Sequence, residues 1–245
     1  MSRRRQVVTA LTWGVVNHGL FAVAIAAMLA ALYSGLTTGG GTLAGGRAWV
    51  ANVLLIVQFP LLHSFLLSSA GRPWLERLAP RGVARGLGPT TFTIVSSLQV
   101  LATFALWSPS GIVLWEAHGA ALWAMRAVFA ASWLLLVVAL THAGLHIQTG
   151  AVGWWSVFRG RKPSFGDFPT HGWFRLCRQP VYLCFALTLW AGPVYTLDRV
   201  VLGLAWSAYC FAAPMHKERR YLSYYGERFA HYRAEVPYIL PRLKS

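Results

Sequence analysis

Apolar positions divide the chain into long hydrophobic blocks separated by short polar or basic stretches. Val7 to Tyr33 is one run, interrupted by Thr9, Thr12, Asn17 and His18. Trp49 to Leu67, Thr91 to Trp107 and Leu122 to Leu145 are three more. Each is near the ~20 residues a helix needs to cross the hydrocarbon core of a bilayer. Val181 to Tyr195 and Val200 to Ala213 are shorter, and only Thr196-Leu197-Asp198-Arg199 separates them, which predicts a tight helical hairpin. Pro180 suits a first helical turn, while Pro193 and Pro214 mark where the arms end or kink. The pattern predicts an all-α, polytopic integral membrane helical bundle of about six membrane segments, with a C-terminal helical hairpin and a cytoplasmic tail helix. Residues 1–245 read as a single membrane domain. Four spanning helices fill 1–146, an interfacial cytoplasmic loop 147–180, the hairpin 181–215 and the cytoplasmic tail 216–245.

Arg3-Arg4-Arg5 before an apolar run has the look of a signal peptide. The run is too long for an h-region, and Ser34 to Gly46, rich in small residues, follows it. A retained helix is the expectation.

Composition agrees. Of 245 residues, 56% are hydrophobic and 12% charged, against about 25% charged in soluble domains. The net charge of +15 points to nucleic acid until it is mapped. The basic residues fall in four groups: Arg3 to Arg5; Arg72, Arg77, Arg81 and Arg85; Arg159, Arg161, Lys162, Arg175 and Arg178; and the tail from Lys217 to Lys244. They sit at alternate ends of the six segments, and the loops between, 34–46, 108–120 and 196–199, hold only Arg47 and Arg199 at their edges. This is the positive-inside pattern. It places both termini in the cytoplasm, points to a bacterial inner membrane, and assigns the charge to topology and anionic lipid rather than nucleic acid. Trp154-Trp155-Ser156-Val157-Phe158-Arg159 sets aromatic beside basic residues, as at the headgroup level.

Ionisable groups inside a bilayer are costly and each needs a reason. His18, His63, His142 and His146 fall in or beside spans, and the spacing of His142 and His146 puts them on one helical face. They could ligate haem or a metal, or hydrogen-bond within the bundle. No metal site is expected, because neither a cysteine nor an acidic cluster accompanies them. Arg126 is expected to snorkel. Cys177, Cys184 and Cys210 form no Cys-X-X-Cys pair; Cys184 and Cys210 read as small apolar side chains, and no disulfide framework is expected.

The cytoplasmic ends of the hairpin carry the most chemistry. Arg178 and Gln179 precede the first arm; His216, Lys217, Glu218, Arg219 and Arg220 follow the second. A tight hairpin brings them together beside Tyr182, Tyr221, Tyr224 and Tyr225. Such a cluster could hold a zwitterion bearing a planar base. Arginine would take the carboxylate, Glu218 the amine and an aromatic ring the base, and a sulfonium could rest on a tyrosine face. The same residues also suit a positive-inside clamp with interfacial tyrosines.

Arg178-Gln179-Pro180-Val181-Tyr182 resembles the Arg-His-Pro-X-Tyr motif of isoprenylcysteine carboxyl methyltransferase-like membrane enzymes. Lys217-Glu218, Tyr225-Gly226-Glu227-Arg228-Phe229, Tyr232 and Val236-Pro237…Leu240-Pro241 resemble that family's closing pattern in order and spacing. Within the family the chain looks most like the methanethiol S-methyltransferase branch. The likeness reaches upstream through Leu62-His63-Ser64, Leu140-Thr141-His142, Phe158-Arg159-Gly160-Arg161 and His171-Gly172-Trp173, covering roughly residues 50 to 243. The chain departs from the motif at Gln179, where the pattern has histidine, and at Lys217, where it has the first of two glutamates. The resemblance implies an S-adenosylmethionine-dependent membrane methyltransferase, with a cytoplasm-facing cofactor pocket and a small thiol or lipophilic acceptor arriving from the membrane side. It assigns cofactor binding to Gln179, Tyr182, His216, Arg220 and Tyr221, together with Glu218. Arg178, Glu218 and His142 are the catalytic candidates, with Arg178, His142 or Arg220 favouring a thiolate. Membrane lipids are expected partners, with other membrane subunits under one alternative. That alternative, motivated by Gln179 and Lys217, is a catalytically inactive structural subunit of a membrane complex. A second is a haem-binding membrane protein.

Overall fold

The computed structural model describes residues 1–241; Lys244, the last of the basic tail, and residue 243, the end of the family likeness, lie outside the described residues. The elements run α1 (Arg3–Tyr33), α2 (Gly45–Leu66), α3 (Arg72–Leu78), α4 (Ala84–Ala105), β1 (Val113–Glu116), α5 (Gly119–His142), α6 (Leu145–Gln148) and α7 (Ala151–Arg159). After a 3-10 turn at Gly172–Arg175 come α8 (Pro180–Trp190), β2 (Val194–Thr196), α9 (Leu197–Tyr225) and α10 (Glu227–Glu235). The architecture is all-α apart from one short ribbon. By length and composition α1, α2, α4 and α5 could each cross a membrane, which marks an integral membrane protein. Large apolar side chains on these helices, among them Val15, Leu54, Trp123 and Leu134, are exposed where acyl chains would meet them.

The chain forms two compact units. The first takes Met1–Ala31, Thr38–Pro109 and Gly144–Gly166. In it α4 packs against α2, α3 and α7. The contact with α7 depends on Gly153, where a Cβ would come within 2.5 Å of the Thr90 hydroxyl. That hydroxyl donates to the Gly150 carbonyl at 2.7 Å and accepts the Trp154 backbone N–H at 2.8 Å. Neutral polar side chains make further interhelical bonds. Gln58 Nε2 donates to Thr103 Oγ1 (3.0 Å) and Gln99 Nε2 to Gln58 Oε1 (2.8 Å). Asn17, fully buried, donates to the Thr149 carbonyl at 2.7 Å. Arg3 donates to the Val157 and Phe158 carbonyls, so one of the basic residues read as topology signals also caps the C-terminus of α7.

The second unit takes Leu32–Thr37, Ser110–Ala143 and the chain from Asp167 onward. Here α5 packs on α8, α8 on α9, and α10 on α9. Leu189, Leu202, Trp206, Cys184 and Cys210 are buried; both cysteines are unpaired and fill space as small apolar groups. Arg126, near one end of α5, donates to the Tyr33 hydroxyl at 2.8 Å.

The link between α8 and α9 differs from the sequence expectation. Thr196 is the N-cap of α9, its hydroxyl accepting the Arg199 N–H at 3.1 Å, so Leu197, Asp198 and Arg199 form the first helical turn rather than a loop. The connection is residues 191–196, and part of it pairs antiparallel with β1, Trp115 opposite Tyr195. α9 also continues through Pro214 to Tyr225, well past Ala213.

Candidate functional site

The site lies wholly within the second unit. Pro180 occupies the first turn of α8, which leaves Arg178 and Gln179 at the helix mouth. On α9, Lys217 and Tyr221 are four residues apart and share a face, with Glu218 beside them. Gly226 ends α9 at φ +53°, a conformation that favours glycine. The chain folds back there, and α10 brings Phe229 and Tyr232 against Tyr221 and Tyr225.

Glu218 is the hub. It is 5% exposed and accepts Arg178 Nε at 2.8 Å and Nη2 at 3.3 Å, a two-pronged pair. Gln179 Nε2 donates to the same carboxylate at 2.8 Å, and Arg233 Nε stands 3.6 Å away. A buried carboxylate holds its charge only with such partners. Arg178 is bound on its far side too, its guanidinium donating to the Arg233 carbonyl at 2.9 Å and to the Val236 carbonyl, and its backbone N–H to the Pro237 carbonyl at 2.9 Å. It also lies over the Tyr238 ring. The Arg-X-Pro corner and the Val-Pro tail are therefore hydrogen-bonded to each other.

The two departures from the family motif also meet. Lys217 Nζ donates to Gln179 Oε1 at 3.0 Å. Gln179 Nε2 is committed to Glu218, so its amide oxygen is left facing Lys217. The ammonium lies 5.6 Å from the centre of the Tyr182 ring and 5.5 Å from that of Tyr221. No carboxylate forms an ion pair with Lys217 among the described residues. Burial pushes its amine down to about 8, with Glu218 opposing and Arg220 adding to the shift. Burial raises the Tyr221 and Tyr232 phenols.

Beside these groups is a small recess of about 10 Å³. Arg178, Gln179, Lys217 and Tyr221 form its polar wall; Phe168, Phe174, Phe229 and Tyr232 form its aromatic one. Phe168 stands edge-on to Tyr225 at 4.9 Å and to Phe229 at 5.3 Å, and the Tyr232 hydroxyl donates to the Phe174 carbonyl at 2.7 Å.

Of the residues singled out in the sequence, Arg178, Gln179, Glu218, Tyr182 and Tyr221 come together with Lys217. Arg220 is half-buried on α9, and His216 is exposed. His142 ends α5, where its Nδ1 faces the Trp173 N–H at 3.4 Å; it does not line the recess. Nor does it share a helical face with His146, because Gly144 at φ +88° breaks the helix between them. His63 contacts the Ser96 hydroxyl at 3.1 Å. Phe168, Phe229 and Tyr232 were not singled out as site residues. Phe229 and Tyr232 carried a signal in the closing pattern of the family likeness, whereas Phe168 had only that of an aromatic residue in polar surroundings, which interfacial positions share.

Among curated proteins the chain is similar to methanethiol S-methyltransferase 2 of Bradyrhizobium diazoefficiens, 31% identical over 199 residues, which cover 81% of this chain and 75% of that protein. It is also similar to the methanethiol S-methyltransferase of Pseudomonas deceptionensis, 26% identical over 209 residues (81% and 76% covered). That of Mycobacterium tuberculosis is 26% identical over 201 residues (80% and 79% covered). No protein-family model matches the chain, and no solved structure matches it.

Proposed function

The chain belongs to the methanethiol S-methyltransferase family, and on that premise we propose that it is an S-adenosylmethionine-dependent membrane methyltransferase acting on a small thiol or lipophilic acceptor at the Arg178–Glu218 site. The observation that carries this is similarity across four-fifths of the chain to enzymes named for that reaction.

The residues present suit the cofactor's groups. Arg178 provides a fixed cation for a carboxylate. Tyr182 and Tyr221 already flank a cation, as they would a sulfonium. Phe168, Phe229 and Tyr232 offer ring faces to a planar base. When bound, the cofactor supplies an electrophilic methyl group on a sulfonium. Gln179, Glu218 and Arg178 hold the polar wall rigid, so that an acceptor sulfur is aligned rather than searched for, and the aromatic wall excludes water. At about 10 Å³ the recess is far smaller than the roughly 300–1,000 Å³ of small-molecule sites, so binding requires the Lys217–Gln179 bridge and the Tyr221 ring to part. His216 and Arg220 belong at the edge of this site, and His142 beside the 3-10 turn that carries Trp173 and Phe174.

In this reading the whole chain works as one membrane domain. α8 and the apolar half of α9 are two further membrane-embedded segments, which makes six. The basic groups lie on the cytoplasmic side with both termini, and the membrane is the bacterial inner one.

The test is direct. Purified protein in detergent is given methyl-labelled S-adenosylmethionine and methanethiol, and the volatile thioether product is counted. Label in dimethyl sulfide supports the proposal; calorimetry without cofactor binding, and no transfer to any thiol, ends it. The bridged, small recess favours one other reading, a structural subunit without catalysis. Co-purification with a stoichiometric partner, together with no cofactor binding, would establish that instead.

A further inference from the structure

We infer that Lys217 is the base that takes the proton of the acceptor thiol, an inference that rests on the methyltransferase reading above. A thiol is a poor nucleophile until it ionises, because the thiolate is the reactive form. Some group at the recess must therefore accept a proton. Arg178 cannot, because a guanidinium stays protonated. Glu218 is saturated by Arg178 and Gln179. Tyr221, with its phenol raised by burial, is a donor at working pH. Lys217 remains. It lines the recess, and Gln179 Oε1 takes one of its N–H bonds at 3.0 Å, so the neutral amine keeps its position and has a lone pair to offer.

The step balances simply. The S–H bond breaks, its electron pair stays on sulfur, and the proton forms an N–H bond at Lys217 Nζ. After the product leaves, Nζ returns the proton to water. Burial has already brought this amine to about 8, near the working pH where a general base is most effective. The groups facing it are Gln179, Tyr182, Glu218, Arg220 and Tyr221, with Arg178 beyond. Burial makes the amine easy to deprotonate; Glu218 opposes this and Arg220 adds to it.

The same chemistry removes an apparent conflict. A lysine at this place would repel a cationic cofactor only while protonated. A sulfonium arriving between Tyr182 and Tyr221 favours the neutral amine, so binding should expel a proton from Lys217. Gln179 and Lys217, both departures from the motif, thus work as one hydrogen-bonded pair.

Calorimetry of S-adenosylmethionine binding at pH 7, in two buffers of different ionisation heat, tests this without turnover. The expected result is release of close to one proton in the wild type and none in Lys217→Met, with binding retained in both. In turnover, kcat/KM for S-adenosylmethionine, which follows the free protein, should rise with pH and level off above about 8, where burial places this amine. Lys217→Met should lose the inflexion and fall roughly 100-fold or more with an alkanethiol, yet stay close to wild type with an aromatic thiol already ionised at the assay pH. Unchanged proton release and an unchanged pH profile in Lys217→Met would overturn the inference and leave the methyltransferase reading intact. Absence of cofactor binding in the wild type would overturn that reading itself. Should the variant not fold, the wild type decides alone: a kcat/KM for S-adenosylmethionine that is independent of pH between 6.5 and 9.5, roughly 1.5 units either side of the amine in the free protein, removes Lys217 as the base.

Discussion

Two arginines at opposite ends of α8 solve the problem of a buried guanidinium differently. Arg199 is fully buried and has no carboxylate partner among the described residues; it donates to the Leu189 and Val194 carbonyls at 3.0 and 2.9 Å and to the Ala191 carbonyl. Those acceptors are the end of α8 and the link after it, so the guanidinium acts as a helix C-cap. Its neighbour Asp198 does not pair with it, but accepts the Ser110 N–H and hydroxyl at 2.9 and 2.6 Å. Arg178, at the other end, divides itself between backbone carbonyls and Glu218. The three hydrogen bonds of the Arg199 guanidinium all go to backbone carbonyls. Around Arg178 the carboxylate is shared, a glutamine is oriented by it, and an amine is left facing a recess. One end closes the chain upon itself, and the other presents chemistry.

Substitutions should separate the two ends. The largest effect is expected from Glu218→Ala, which strands the Arg178 charge. Breaking a buried pair of this kind costs about 3–5 kcal/mol, and unfolding in detergent should show it together with loss of cofactor binding. Next comes Arg199→Met, which orphans three carbonyls but also removes a buried charge; a net loss of about 2 kcal/mol is expected. Cofactor affinity of the folded fraction should not change, and if it fell as it does for Glu218→Ala, the two ends would not be functionally distinct. Thr196→Ala removes the cap of α9 and should cost about 1 kcal/mol, again without touching affinity. Arg228→Ala breaks an exposed pair with Asp167, and thermal unfolding should not register it.

The four long helices were legible because a bilayer fixes the length and composition of anything that crosses it. The link between α8 and α9 was less so. Leu197, Asp198 and Arg199 read as a polar loop, since nothing in a charge at that place shows whether it faces water or carbonyls. The β1 segment, Val113-Leu114-Trp115-Glu116, is too short and too apolar to carry a period. At the site, the meeting of Gln179 with Lys217 and Glu218 followed from the proximity of the two polar ends. The acceptors of Arg178 at residues 233, 236 and 237 were invisible, because carbonyls have no side-chain signature. His142 and His146 misled because spacing alone assumes an unbroken helix, and Gly144 breaks it.

The hydrogen bonds by which the tail holds Arg178 all end on main-chain oxygens. Such bonds depend less on side-chain identity than on length. Residue 236 could change its side chain so long as the count from Tyr232 to Pro237 is kept, whereas Arg233 also stands 3.6 Å from Glu218. One inserted residue there would carry every acceptor out of reach while leaving the composition of the tail almost unchanged.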